Sequence, residues 1–486
     1  MDPSILYQNP TSTVILIDIP RSLEATQLIS SPIPSSLPSS SSSSTIASYP
    51  SPSTSSQPSS PFSKRRRILS TPPLLHHYPS LDPKTPKARA NFNLRLGPPS
   101  IQELLLRKHV EFALREIRDG YGREEWCLSR VVEKNLGWAE GGREEGGRRG
   151  RKRMRVRRDG AAGEVKDDDE HDGENENTEL KDAELSHSED QTPEQDPEVE
   201  VLDPDGLFFT NPHSKAMSLN IQGPDDEKPK RYHIPPLSTL LSGSLSSILP
   251  TFTSFGPSNF SLITLDPPWP NRSARRSSTY KLSRNTPSIS SLLSSLPLQD
   301  HLSEDGVVAV WITNREAFRE MVLGTESLAD EGGGGGGLFQ QWGVQLIEEW
   351  VWVKTTVKGE PIFDIEGEWR KPWEVLLVGR RKPSNHSSTI SEGKGDGYGN
   401  VKRRIIAGVP DLHSRKPNLR GLFEKLLVRD TCQDGSRDGE KERGGKRYEA
   451  LEIFARNLTA GWWCWGDEVL RFQGEECWVD GDIEEE

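Results

Sequence analysis

Residues 261–273, SLITLDPPWPNRS, decide how the chain is read. An apolar strand ends at Leu265, and Asp266, Pro267, Pro268 and Trp269 follow at once. In an open α/β sheet, ligands bind just beyond the carboxyl ends of strands, so a carboxylate placed there faces a cleft. The two prolines fix φ and stiffen the loop, and neither carries a backbone N–H. Asp266 and the Pro267 carbonyl then offer two acceptors near one point, which suits an exocyclic amino group with two hydrogens to give. Trp269 is expected to add a flat apolar face for a base, worth ~1–3 kcal/mol of stacking. The amino group of adenine is a weak nucleophile because its lone pair is delocalised. Acceptors drawing on both N–H bonds favour a pyramidal nitrogen that can meet an electrophilic methyl group, with the rate coming from positioning and fixed dipoles. The plainer alternative is a turn after a strand, with Asp266 capping it and Trp269 in the core.

Outward from this stretch, apolar runs recur at 306–312, 344–353, 374–379, 403–408, 450–455 and 468–472. Several are continuous rather than alternating, as in strands covered on both faces. Helical spacing appears at 287–296, 315–328 and 418–428. The pattern predicts a doubly wound α/β sheet. Of the 13 tryptophans, 11 lie beyond residue 260, which places the main core there. Gly332 to Gly337 and the polar stretch 382–400 read as surface loops.

Toward the N-terminus the composition changes. Residues 31–60 hold 22 Ser or Pro in 30 positions, a linker composition. Basic clusters follow at 64–67 and at 148–158, RRGRKRMRVRR, and each fits a nuclear import signal or a phosphate-binding arm. Between them, residues 101–117 show helical spacing after Ser100, with Gly120 and Gly122 at the end and a possible second helix over 126–138. Residues 159–206 are acidic and lack Phe, Tyr and Trp. The expected layout is a mostly disordered, Ser/Pro-rich region 1–97, a small helical unit 98–140, a basic then acidic disordered spacer 141–206, and a catalytic domain 207–480.

Composition excludes several classes. A net charge of −12 excludes a uniformly basic nucleic-acid coat protein. Only 32% of residues are hydrophobic, against ~45–50% in an average globular chain, so one real core is expected rather than three. Cys127, Cys432, Cys464 and Cys477 form no C-x-x-C and match no zinc spacing, so no metal is expected and a reducing compartment is. No run of ~18 apolar residues reads as a membrane span. The N-terminal stretch lacks the basic region of a signal peptide.

The motif DPPW, with the blocks AVWITNREA, EEWVWVK, RKPWEVLLVGR, LHSRKPNL and LEIFARNLTAGWWCWGDEVLRFQ, resembles the adenine-amino methyltransferases related to the messenger-RNA adenosine methyltransferase. Within that family it resembles the methyltransferase-like-four branch. The resemblance runs from about Leu207 to Gln473. It implies a Rossmann-like α/β fold with permuted motif order, S-adenosylmethionine as cofactor, and catalysis at Asp266, Pro267, Pro268 and Trp269. It also implies a cofactor strand and loop at 451–457, with Arg456 and Asn457, alongside Lys416, Asp266, Asp467 and Glu468. Three positions depart from the family pattern: Ala455 stands where glycine is usual, Asp467 where asparagine is common, and no acid occurs in Leu241-Ser242-Gly243-Ser244.

Asn271, Arg272, Ser273, Arg275 and Arg276 follow the catalytic loop and suit a polynucleotide backbone. Arg370-Lys371 and Lys402-Arg403-Arg404 would extend the track, and Trp462, Trp463 and Trp465 would line the cleft or fill the core. The target base must be single-stranded or flipped out. RNA, including small nuclear RNA, and DNA both stay open as the nucleic-acid partner, with RNA favoured; the nucleus is the expected location. The alternatives are a non-catalytic methyltransferase-like subunit and a nucleic-acid-binding scaffold.

Overall fold

Uninterrupted apolar runs become the middle of one large sheet. The structure, a computed structural model, describes residues 2–29, 65–79, 85–86, 99–132, 206–223, 226–257, 259–270, 286–324, 336–367, 370–382, 401–412, 415–429 and 448–481. The first strands in chain order are β1 (Ile5–Gln8), β2 (Val14–Ile17), β3 (Arg65–Ser70), β4 (Val131–Val132), β5 (Leu207–Thr210), β6 (Met217–Ile221), β7 (Lys230–Ile234) and β8 (Thr239–Ser242). The rest are β9 (Phe260–Leu265), β10 (Leu302–Ile312), β11 (Val344–Lys354), β12 (Trp373–Arg381), β13 (Lys402–Gly408), β14 (Ala450–Ile453), β15 (Trp463–Gly466) and β16 (Trp478–Gly481). Eleven of these form a mixed sheet in the order β1-β2-β13-β11-β12-β10-β9-β14-β15-β8-β5. The run from β10 through β9, β14 and β15 to β8 is parallel throughout. Strand β12 runs antiparallel to both of its neighbours. Val307 to Val310 are fully buried at every position, so both faces of β10 are covered. This is the expected α/β, Rossmann-like architecture.

The helices at Leu245–Phe255, Thr286–Ser294, Glu316–Leu323 and Arg420–Arg429 supply that cover. Ser244 caps the first by accepting from the Ser247 N–H at 3.1 Å, and its Phe252 meets Trp465 at 5.2 Å between ring centres. The last packs Phe423 against Trp350 at 4.7 Å.

The N-terminal region corrects the expectation. Residues 2–29 are not disordered: the apolar run at 14–17 pairs in parallel with β13, and β1 folds back on it. Asp18 then caps the helix Ile19–Ala25. The described part of the basic cluster, Arg65 to Arg67, is not a flexible arm either. Arg65–Ser70 is a strand between β16 and β4, and Arg67 bonds the buried Glu24 at 3.1 Å. The helix Ile101–Tyr121 forms as its spacing predicts, capped by Ser100 and ended by Gly122 at φ 71°. It is no separate unit, because Val110, Ala113, Leu114 and Ile117 are buried and the helix packs on β1, β2 and β13. Tyr7 lies so close that a Cβ at Gly120 would stand 2.6 Å from its ring. Over 126–132, the described part of the second expected helix, no helix forms, since Trp126 and Leu128 give their N–H groups to Val357 and Asp18 rather than to a preceding turn; residues 133–138 lie outside the described residues. Residues 468–472 form consecutive turns, not a strand, with Arg471 bonding back to Glu468 and Gln473 to Leu470. Residues 31–60, 148–158, 159–205, 382–400 apart from Lys382, and most of the glycine run lie outside the described residues.

Candidate active site

The chain leaves β9 for β10 on one side and leaves β14 for β15 on the other. Adjacent parallel strands whose onward connections diverge leave a crevice at their carboxyl ends. Asp266, one residue past β9, stands at that crevice, and its N–H reaches the Ile453 carbonyl at the end of β14 (3.3 Å). The cleft there is lined by Thr264, Asp266, Trp311, Lys416, Glu452 and Asn457, among others. The turn after β14 is tight. Phe454 adopts φ 64°, a left-handed conformation that costs a non-glycine residue about 1–2 kcal/mol. Gly466, at the end of β15, lets that turn close, since a Cβ there would meet the Ala455 carbonyl at 2.8 Å. The glycine usual at position 455 is therefore not the strained position; Phe454 is.

Charge alternates in sign across the cleft through Lys354, Glu374, Lys416, Asp266, Arg456, Glu468 and Arg471. Lys416 Nζ lies 2.6 Å from one oxygen of Asp266 and 3.1 Å from Glu374. Arg456 takes the other Asp266 oxygen at 3.3 Å and also Glu468 at 3.1 Å. Lys354 closes one end on Glu374 and Arg471 the other on Glu468. Lys416 also sits 5.1 Å from the centre of the Trp311 ring, a cation–π contact. Burial works to lower the Lys416 ammonium pKa, but the carboxylates of Asp266 and Glu374 outweigh it and hold the pKa above the usual lysine range. Burial would likewise raise Glu374, yet Lys354 and Lys416 keep its carboxyl well below the usual range. Glu452 lacks such close partners. Burial, helped by the charge of Asp266 and opposed by Arg456, pushes it up to about 7.

The structure thus brings Asp266, Lys416, Arg456 and Asn457 to one cleft. The Pro267 carbonyl already accepts the Trp269 N–H at 2.8 Å, which leaves it one lone pair. Pro268 is half-buried. Trp269 corrects the reading: it is 5% exposed, donates its indole N–H to the Trp311 carbonyl at 2.7 Å and stacks on Phe318 at 4.5 Å. Both its polar handle and its apolar face are spent in the core, so it holds the loop down and offers no surface to a base. Asp467 is exposed, and Glu468 pairs with Arg456 and Arg471. Trp462 lines the cleft, while Trp465 is wholly buried and Trp463 packs against Phe260.

The expected basic track also changes. Arg403 and Arg404 pair with Glu349 and Glu348, Lys371 with Glu103, and Arg370 lies over Phe363. Asn271, Arg272, Ser273, Arg275 and Arg276 lie outside the described residues, as do His413 and Ser414. Sequence reading passed over Glu374 and Trp311, and gave Glu452 and Arg415 only as members of the segments around Arg456 and Lys416. The usable signal for Glu374 was a lone acid opening the apolar run 375–378. It reaches the cleft because β12 is inverted, so that the strand's beginning lies where β9, β10 and β14 end.

Residues 260–468 match the family model described as MT-A70. The chain is 44% identical over 252 residues to the N6-methyladenosine RNA methyltransferase MTA1 of Cryphonectria parasitica, covering 52% of this chain and 63% of that protein. It is 29% identical over 288 residues to the N(6)-adenine-specific methyltransferase METTL4 of Mus musculus (57% and 50%). Against the DNA N6-methyl methyltransferase of Caenorhabditis elegans it is 27% identical over 247 residues (50% and 55%). It spans 63% of the length of the fungal MTA1 relatives. The crevice between β9 and β14, with Asp266 at its mouth, accordingly lies within the segment that matches the MT-A70 family model.

Proposed function

We propose that this chain methylates the exocyclic amino nitrogen of adenine in a nucleic acid, with S-adenosylmethionine as methyl donor. The observation that carries the reading is Asp266, held at the β9–β14 crevice by Lys416 and Arg456 with lone pairs still to offer. The donor set fits the cofactor: a buried ammonium and an amide (Lys416, Asn457) suit an amino-acid carboxylate, Glu452 and Asp266 suit an ammonium and hydroxyls, and Phe454 and Trp462 supply apolar walls. When bound, the cofactor supplies an electrophilic methyl group on a sulfonium. Asp266 and the remaining lone pair of Pro267 would accept from the two amino hydrogens and aim the nitrogen lone pair. The nitrogen would take the methyl carbon as that carbon's bond to the sulfonium sulfur breaks, leaving a neutral thioether, and would afterwards give up one proton to solvent. Lys416 and Arg456 fix the carboxylate so that it need not reorganise during transfer.

RNA is the favoured substrate, supported by the names of the fungal relatives. The name of the C. elegans relative keeps DNA as a second reading. The base would arrive single-stranded or flipped out. Residues 148–158 support a nuclear location; the cluster at 64–67 does not, because Arg67 is committed to Glu24. The deciding experiment is mass spectrometry of nucleosides after incubation with cofactor and separate RNA and DNA pools. N6-methyladenosine in the RNA pool, lost with Asp266→Ala, is the expected result. No product in either pool, or unchanged product with the variant, overturns the reading.

A further inference from the structure

The described parts of the loop that carries Lys416, residues 409–412 and 415–419, draw contacts from parts of the chain far outside the matched family segment. Asp411 is fully buried and accepts from the Thr71 N–H at 2.8 Å and the Thr71 hydroxyl at 3.2 Å. Arg415, adjacent to Lys416 and 2% exposed, donates to Asp411 at 2.5 Å and to the Leu69 carbonyl at 2.9 Å. Arg130, 1% exposed, donates to the carbonyls of Val409 (2.9 Å), Pro410 (3.0 Å) and Thr71 (3.3 Å), with Asp411 at 3.8 Å. At the other end of the loop the Asn418 N–H reaches the Ser22 hydroxyl at 3.0 Å.

A buried Arg–Asp–Arg cluster adds little stability, since well-packed apolar groups in its place are often as good or better. What it does supply is a fixed geometry: one planar guanidinium holding two successive carbonyls can be satisfied in one arrangement only. The arrangement held here is that of residues 409–411 and of Arg415, the neighbour of Lys416, whose ammonium sits on Asp266.

We propose that Arg130 is a positioning residue of the active site, which with Thr71 and Asp411 sets the loop that presents Lys416 to Asp266. Arg130 does not line the cleft and acts through the loop alone. The proposal rests on the cofactor reading above for its functional consequence, and on the hydrogen bonds for its structural one.

The test uses the full chain with Arg130→Met and, as the conservative variant, Arg130→Lys. Amide hydrogen exchange without cofactor should rise in peptides covering 409–419 and stay unchanged over β9 and β14. S-adenosylmethionine affinity, measured by calorimetry at a temperature where circular dichroism shows the variant folded, should weaken by about tenfold or more, as misplacement of a positioned group does. Arg130→Lys should recover part of both. A role in stability alone would lower the melting temperature and leave the affinity of the folded protein untouched; that result, or unchanged exchange over 409–419, overturns the proposal. Should Arg130→Met fail to fold, Thr71→Val removes only the hydroxyl bond to Asp411 and should raise exchange in the same peptides, and unchanged exchange there counts against the proposal. If the unmodified chain binds no cofactor, the functional reading fails by itself, and the exchange measurement still decides whether Arg130 sets the loop.

Discussion

Two groups of charge flank the loop 409–419, and they are built differently. The cluster of Arg130, Asp411 and Arg415 is sealed, with every side chain at most 2% exposed. The line through Glu374, Lys416, Asp266 and Arg456 is half open, its side chains 16–24% exposed. In the sealed group the carboxylate takes its contacts from the chain itself, so it has little left for a visitor. In the open one Asp266 keeps lone pairs and solvent access. Rigidity and reactivity thus meet on one loop, where Asp411 and Arg415 stand within five residues of Lys416, the joint between the two groups.

Variants can break that division. The largest effect is expected of Asp266→Ala, which should cut turnover by about a thousandfold while cofactor binding stays measurable by calorimetry. Asp411→Asn should act first on the fold, and on cofactor affinity only through the loop. It leaves two buried guanidinium groups short of charge, and denaturant unfolding should show a loss of about 3–5 kcal/mol. Trp269→Ala should cost a similar 3–5 kcal/mol through the cavity beside Phe318, with nucleic-acid affinity of the folded variant unchanged. A drop in affinity worth ~1–3 kcal/mol would restore the stacking role to Trp269.

The smallest effect concerns Glu452, which burial raises from 4.5 to about 7. A carboxyl whose folded pKa is raised favours the folded state below its unfolded pKa and loses that contribution as pH rises through the folded one. The melting temperature of the unmodified chain should therefore fall, relative to Glu452→Gln, between pH 4.5 and 7, and the two curves should run parallel above that window. Parallel curves throughout would mean that Glu452 is better solvated than its place in the cleft suggests.

How much of this was legible varied with the range of the interaction. The strand before Asp266, the continuous runs of the sheet other than 468–472 and the cap at Ser100 are local signals, and each formed where its residues indicated. The meeting of Lys416, Arg456 and Asp266 came through resemblance, since no periodicity brings residues 266, 416 and 456 together. The direction of Trp269 was not readable, because an indole beyond a strand serves a base or a core equally well until Phe318 is placed beneath it. Glu374 was hidden by the inversion of β12, which composition does not encode. The N-terminal strands were hidden for another reason: the run at 14–17 is only four residues long, and its partner lies nearly 400 positions away in β13.

That last pairing has a practical consequence for anyone cutting the chain down to its recognisable part. A fragment beginning at residue 207 would strip β2 from β13 and leave a bare row of amide donors and acceptors along a long apolar strand, the kind of unprotected rim that recruits a second molecule. Such a fragment should be sticky in proportion to its concentration, and its behaviour would say more about the missing hairpin than about the chemistry it retains.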